Sequence, residues 1–307
     1  MKIKIILAAV ALSVATRAAI AEEPSGTLGK IKSSGSITIG HRESSIPFSY
    51  YDSNEKVVGY AMDLCYLAAD AVKARLGMEK LDVKLVPVTP SGRIPSVLNG
   101  TIDLECGTTT NNIERQKVVS FSTTYFVAAN RFMSKTKAKL RTLDDLKGRT
   151  VVSTIGSTNL KQLSELNAQR HLDLTILAAK DNGEAFRMLE SDRADAFVMD
   201  DILLYSRMAH STTPGEYSVS EDALSVEPYG IMLRRDDPAF KKVVDDALTA
   251  VYRGGEIQKI YAKWFLAPIP PNDVNLNVPM SAQLQRTIEH LIDSGDPDAY
   301  LAEKNTQ

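Results

Sequence analysis

Short runs rich in β-branched residues alternate with helix-period patterns along most of this chain, and that alternation leaves few architectures open. The runs lie at Ser36 to Gly40, Val83 to Val88, Ile102 to Cys106, Thr150 to Thr154, Leu174 to Leu177, Ala196 to Met199 and Gly230 to Leu233. Alternation of this kind is the signature of βαβ units on parallel sheets, so the expected class is α/β. The clearest helix carries Phe240, Val243, Val244, Ala247, Leu248, Val251 and Tyr252 at spacings that stack them on one face. Asp237 caps it, Pro238 suits its first turn, and Gly254-Gly255 stops it. Another helix opens at Asp181, with Glu184 at capping-box spacing.

The middle of the chain divides it. Phe121 to Met133 reads as one long extended segment and a fresh α/β series begins at Leu143. A chain that crosses there must return, and the return falls best near Val226 to Gly230. One lobe is expected at 27–128 plus 229–265 and another at 129–228. Over 266–307, Pro268, Pro270, Pro271 and Pro279 predict an extended tail. It ends in a short helix carrying Leu284, Ile288, Leu291 and Ile292.

At the N-terminus Lys2 and Lys4 precede an apolar run from Ile5 to Ala15 and a small-residue Ala19-Ile20-Ala21 site. This is the pattern of a Sec-type signal peptide over residues 1–21, cleaved after Ala21. Thr16 and Arg17 interrupt the run well short of the ~20 apolar residues a membrane span needs. The expected destination is the periplasm. Cleavage takes away three cations and no acid, moving the formal charge from −2 to −5. That mild acidity gives no support to nucleic-acid binding. Cys65 and Cys106 are the only cysteines. An even count in a chain bound for an oxidising compartment reads first as a disulfide, with two buried free thiols as the alternative.

Catalytic signatures are absent from the sequence: there is no GxSxG, HExxH, paired CxxC or P-loop. His41, His171, His210 and His290 are scattered. No cofactor or metal site is expected, and the chain reads as a non-enzyme.

Two stretches place arginines beside hydroxyls, Gly40 to Asp52 (GHRESSIPFSYYD) and Glu105 to Ser122 (ECGTTTNNIERQKVVSFS). An amino-acid carboxylate needs a planar cationic fork, which arginine supplies and lysine does not. Together with KWFLAPIPP from Lys263 to Pro271, these stretches resemble the periplasmic glutamate/aspartate-binding proteins of ABC importers. The resemblance runs through nearly the whole mature chain. It implies the two-lobed type II periplasmic binding protein fold, each lobe a mixed sheet flanked by helices, with two crossover hinge strands. It also implies a monomer that captures glutamate or aspartate by lobe closure and delivers it to the membrane subunits of an ABC permease.

Residue by residue, the resemblance makes Arg115 the clamp for the α-carboxylate, with Thr108 and Thr110 as hydroxyl or backbone partners. Thr158, with Ser157 beside it, contacts the same group where a turn at Gly156 opens a helix whose free N–H groups attract anions. A plain N-cap is the other reading of that turn. Asp200, at the carboxyl end of its strand, takes the ammonium. Asp201 is its rival, or simply caps the next helix. Arg42 and Arg93 take the distal carboxylate. Three arginines against one aspartate leave a surplus of two positive charges, which a dicarboxylic amino acid halves and a neutral one leaves intact. One unpaired buried charge costs roughly 3 to 5 kcal/mol, so acidic ligands are favoured.

Two positions depart from the family. Pro90 replaces a serine and Asn182 a histidine, which removes a hydroxyl, a backbone donor and a group able to become cationic. Ser91 could replace the hydroxyl, and the Asn182 amide could tolerate glutamine or asparagine as alternative ligands. Phe48 or Tyr50 could cover the ligand's aliphatic stem and Tyr229 could line the cleft; core packing is the other fate of all three. Two further classes remain, a sensor facing a chemoreceptor and an enzyme of the same fold such as a dehydratase.

Overall fold

The computed structural model describes residues 24–301. The signal-peptide reading of residues 1–21 lies outside the described residues. Two sheets organise the chain. The first runs Asp82–Pro87, Ser36–His41, Leu104–Cys106, Met232–Arg234, Val119–Phe121. Its first three strands are parallel, and Met232–Arg234 pairs antiparallel with both neighbours. The second runs Thr175–Ala179, Thr150–Thr154, Ala196–Asp200, Phe126–Lys135, Tyr217–Val219, with Ser225–Tyr229 also paired to Phe126–Lys135. Its first three strands are again parallel and the long strand is antiparallel to them. The fold is α/β with two lobes, each a mixed sheet with helices packed on it.

Helix Pro238–Arg253 forms as its periodicity predicts, burying Phe240, Val244 and Leu248. The Asp237 side chain accepts from the Phe240 N–H at 3.2 Å and also from the Thr27 N–H at 2.7 Å, tying the first helix, Gly26–Ser34, to this one. Helix Asn182–Glu190 is capped by Asp181, which accepts from the Glu184 N–H at 2.8 Å. The reciprocal bond of the expected capping box is displaced by one residue: the Glu184 carboxylate accepts from the Lys180 N–H, at 2.7 Å. Cys65 of helix Tyr60–Arg75 is disulfide-bonded to Cys106 at the end of its strand, with their Cα atoms 6.3 Å apart. Helix and sheet are thereby stapled on the face they bury.

The chain passes from the first sheet to the second over residues 122–125 and returns over 230–231. The two passages pair: the Ser122 N–H donates to the Ile231 carbonyl at 2.9 Å and the Tyr125 N–H to the Tyr229 carbonyl at 3.0 Å. Phe48, Tyr60, Tyr125, Phe126, Tyr229 and Phe265 pack here as one aromatic cluster. The apolar core is consequently continuous beneath both passages.

The tail is more structured than its prolines predict. Pro268–Ile269 and Val274–Asn275 form an antiparallel hairpin. Its connection is Pro270-Pro271-Asn272-Asp273, with Asp273 at φ 53°, and such residues favour turns. Helix Ala282–Glu289 buries Leu284 and Ile288, while Leu291 and Ile292 lie beyond its end.

Candidate functional site

The carboxyl ends of the parallel strands of both sheets converge on one small, tightly enclosed polar cavity. From the first sheet's side Arg42, Pro90, Arg93, Thr108 and Thr110 line it. Arg42 directly follows Ser36–His41, and Thr108 lies just beyond Leu104–Cys106. From the second side come Thr154, Ser157, Thr158, Asn159, Asn182, Met199 and Asp200, of which Thr154 and Asp200 end their strands. Open α/β sheets place ligands outside these strand ends, because the loops there project freely while the strands hold their roots.

Arg42 is only 3% exposed, yet its hydrogen bonds among the described residues are all made through its main-chain N–H and carbonyl. Among the described residues its guanidinium donates to no protein acceptor. Burial, and next the neighbouring Arg93, push its pKa down to about 10. Arg93 opens the short helix Arg93–Leu98 and donates through Nη1 to the Thr108 carbonyl at 3.2 Å, while its buried Nε has no partner. Beyond the arginines, the Asn182 Oδ1 accepts from the Thr154 hydroxyl at 2.8 Å. The Asn182 amide donor is left without a protein acceptor among the described residues.

The opposite end is acidic. The Asp200 Oδ1 accepts from Asn159 Nδ2 at 2.7 Å, and its Oδ2 accepts a short hydrogen bond from the Tyr229 hydroxyl. Burial, then the carboxylate of Glu227, lifts the Asp200 pKa to about 7. Its rival Asp201 is occupied with backbone, accepting from the Ala129 and Ile202 N–H groups at 3.1 and 2.7 Å. The Thr158 hydroxyl donates to Glu227 at 2.8 Å and lies 3.3 Å from the Thr110 hydroxyl. Ser157 lines the cavity and is also the helix N-cap, accepting from the Leu160 N–H at 3.1 Å.

Five further residues singled out in the sequence do not line the cavity. Arg115 lies beside it, donating to the Thr110 carbonyl at 2.9 Å and to the Gly156 carbonyl at 3.3 Å. Burial and then Arg93 hold its pKa at about 9. Ser91 is exposed, its hydroxyl 3.3 Å from that of Thr89, so it does not stand in for the hydroxyl missing at Pro90. Phe48 is fully buried in the aromatic cluster, 4.9 Å from Phe126 between ring centres. Tyr50 packs on Trp264 and donates to the Pro270 carbonyl. Tyr229 reaches the site through its hydroxyl on Asp200 and through a backbone bridge to Thr110.

Two acids were not anticipated. Glu105 and Glu227 are both fully buried. Glu105 accepts from the Thr109 hydroxyl at 2.5 Å, and its other oxygen has no partner. Glu227 accepts from Thr158, Gln162 and Ser225. With both counted, the surplus of two positive charges inferred from sequence falls to zero. The charge is nevertheless separated in space. Arg93 and Glu105 act on both Arg42 and Arg115, while Glu227 and Asp200 act on Arg115 and Asp181 and Glu43 on Arg42. A charged residue inside an otherwise apolar strand, as in Leu104-Glu105-Cys106, was the available signal.

The family described as bacterial extracellular solute-binding proteins, family 3, matches residues 37–267, leaving the tail outside the match. The L-glutamate/L-aspartate-binding protein of Pseudomonas aeruginosa is 50% identical over 270 residues, spanning 88% of this chain and 89% of that protein. The glutamate/aspartate import solute-binding protein of Escherichia coli K12 is 46% identical over 259 residues, spanning 84% and 86%. Among solved structures, an ancestral amino acid-binding protein described as a precursor of cyclohexadienyl dehydratase superposes with a TM-score of 0.66 at 28% identity, covering 78% of this chain and 99% of that one. A match over most of the chain, on two mixed sheets that enclose a polar cavity at their strand ends, settles the family: the chain belongs to the bacterial extracellular solute-binding proteins, family 3.

Proposed function

We propose that this protein captures glutamate and aspartate in the periplasm and delivers them to the membrane permease subunits of an ABC importer, acting as a monomer and without catalysis. The observation that carries the reading is the buried Arg42 guanidinium, which spends no donor on protein and faces a cavity whose far end is Asp200. A side-chain carboxylate at Arg42 and Arg93 and an ammonium at Asp200 satisfy both ends at once. The α-carboxylate is then left to Arg115, Thr108, Thr110, Ser157 and Thr158, where the helix Thr158–Arg170 adds unspent N–H groups. The names of the two relatives at 50% and 46% identity support the ligand class.

Capture follows from the two passages, taken as hinges between lobes of about 27–128 plus 229–265 and 129–228. Contacts made only when the lobes are shut support closure. Lys161 pairs with Glu114 at 2.5 Å, Arg207 donates to the Ser44 carbonyl at 2.6 Å, and a Cβ on Gly156 would lie 2.6 Å from the Ser91 backbone. A ligand touching both sides favours the shut population by its differential affinity for it.

Glutamine or asparagine is the second reading, favoured by the Asn182 amide and by the zero formal balance of buried charges. Calorimetric titration with glutamate, aspartate, glutamine, asparagine and histidine separates the two. The proposal expects acidic amino acids to bind at least tenfold more tightly than their amides; the reverse order overturns it.

A further inference from the structure

The segment after the last helix makes contacts that a passive tail has no reason to make. Asn111, 1% exposed, sits between the cavity-lining Thr110 and Asn112, the residue that caps the short helix bearing Arg115. Its side-chain amide donates to the Asp293 and Ser294 carbonyls at 2.9 and 3.3 Å. Its Oδ1 accepts from Gln116 Nε2 at 2.9 Å, and that same group donates to the Asp293 carbonyl at 3.2 Å. Next to these lies Gly295. A Cβ there would stand 2.7 Å from Asn112 C and Ile113 N and 2.9 Å from Gln116 Cδ. The backbones of tail and helix start are therefore in direct contact, and close approach is what demands glycine.

The same segment also grips a passage between the sheets. The Thr124 N–H donates to the Ile292 carbonyl at 2.8 Å, the Thr124 hydroxyl lies 2.8 Å from the Tyr300 hydroxyl, and Tyr300, fully buried, donates onward to the Ser294 carbonyl at 2.7 Å. A few tenths of an ångström at Asn112 move the root of Arg115, and recognition of a planar carboxylate depends on placement to about 0.5 Å.

From this geometry we infer that residues 292–300 form a brace that positions the Thr110–Arg115 segment for the ligand's α-carboxylate, with Gly295 and Asn111 as positioning residues. The role rests on the ligand reading above. The brace lies outside residues 37–267 that the family match covers, and it acts on the site from behind.

The test uses the full chain and two variants, Gly295→Ala and, in case that variant fails to fold, Tyr300→Phe, which keeps the buried ring and removes its bonds to Thr124 and Ser294. Amide hydrogen exchange over residues 111–117 of the ligand-free protein is measured alongside affinity for glutamate and for its α-amide, isoglutamine. Faster exchange in that window, at least tenfold weaker glutamate binding and a smaller glutamate-to-isoglutamine ratio are expected, with Tyr300→Phe the milder of the two. Exchange unchanged over 111–117, or an unchanged ratio in both variants, overturns the brace. Should the wild type bind neither ligand, the reading of the site fails, and the exchange measurement still decides the brace by itself.

Discussion

The hydroxyl oxygens of Thr110 and Thr158 lie 3.3 Å apart, one beyond a first-sheet strand and the other at the start of a helix on the second sheet. Glu227 already accepts from the Thr158 hydroxyl. A ligand carboxylate arriving there must displace that bond, because the Thr158 hydroxyl has one proton to give.

Replacement of Arg42 separates binding from folding. Its guanidinium is buried without a protein acceptor among the described residues, a state that costs the ligand-free protein several kcal/mol of desolvation. Arg42→Met is expected to leave the ligand-free unfolding temperature unchanged or raised and to weaken glutamate by about a hundredfold or more, with a smaller loss for glutamine. Calorimetry on both ligands checks this; equal losses would make Arg42 merely structural.

Asp200 predicts a pH dependence with opposite signs for stability and for binding. Its folded value, raised from 3.8 to about 7, means the folded protein keeps a proton the unfolded chain has lost. Ligand-free stability should thus fall as pH rises from about 4 to 7 and level off above. Burial and the Glu227 carboxylate dominate at Asp200, outweighing the hydrogen bonds from Asn159 and Tyr229 and the charge of Arg115. A ligand ammonium places a cation in direct contact, so binding below about pH 7 releases a proton and affinity weakens as pH is lowered, by at most about tenfold per unit. Titrations at about pH 6 in buffers of different ionisation enthalpy measure that release; affinity constant from about pH 5 to 8 would contradict it.

At the other end, Asn182→Asp places a second carboxylate beside the ligand's own. The Thr154 hydroxyl can still donate to it, so the cavity should keep its shape. Glutamate is expected to lose at least tenfold in affinity relative to glutamine, since a buried carboxylate pair cannot both stay ionised without cost.

The disulfide encloses a loop of 41 residues between helix and strand. A Cys65→Ser, Cys106→Ser variant should lose about 4 kcal/mol of unfolding free energy. Denaturant titration measures it. Glutamate affinity should move far less, because neither sulfur lines the cavity.

The parts legible in the sequence were those written locally. Strand Thr150–Thr154 is a β-branched run with clear ends, and helix Pro238–Arg253 has its period, cap and stop in one stretch. Arg42, Thr108 and Asp200 follow or end strands, so their meeting in one cavity could be expected once the strands were placed. Glu105 and Glu227 were not legible, because the burial of a charged strand residue depends on what the far side of the sheet packs against. Phe48 was ambiguous for the same reason: its neighbours Phe126, Tyr229 and Phe265 are remote in sequence. The prolines predict an extended tail, but its contacts with Asn111 and Thr124 are set by the rest of the fold.

The most direct measurement is a crystal structure with glutamate bound. The account predicts the side-chain carboxylate within hydrogen-bonding distance of the Arg42 guanidinium, the ammonium on Asp200 and the α-carboxylate near Thr110 and Thr158. Glutamate bound elsewhere, or with its side chain turned toward Asp200 and Arg42 left without an acceptor, would contradict it.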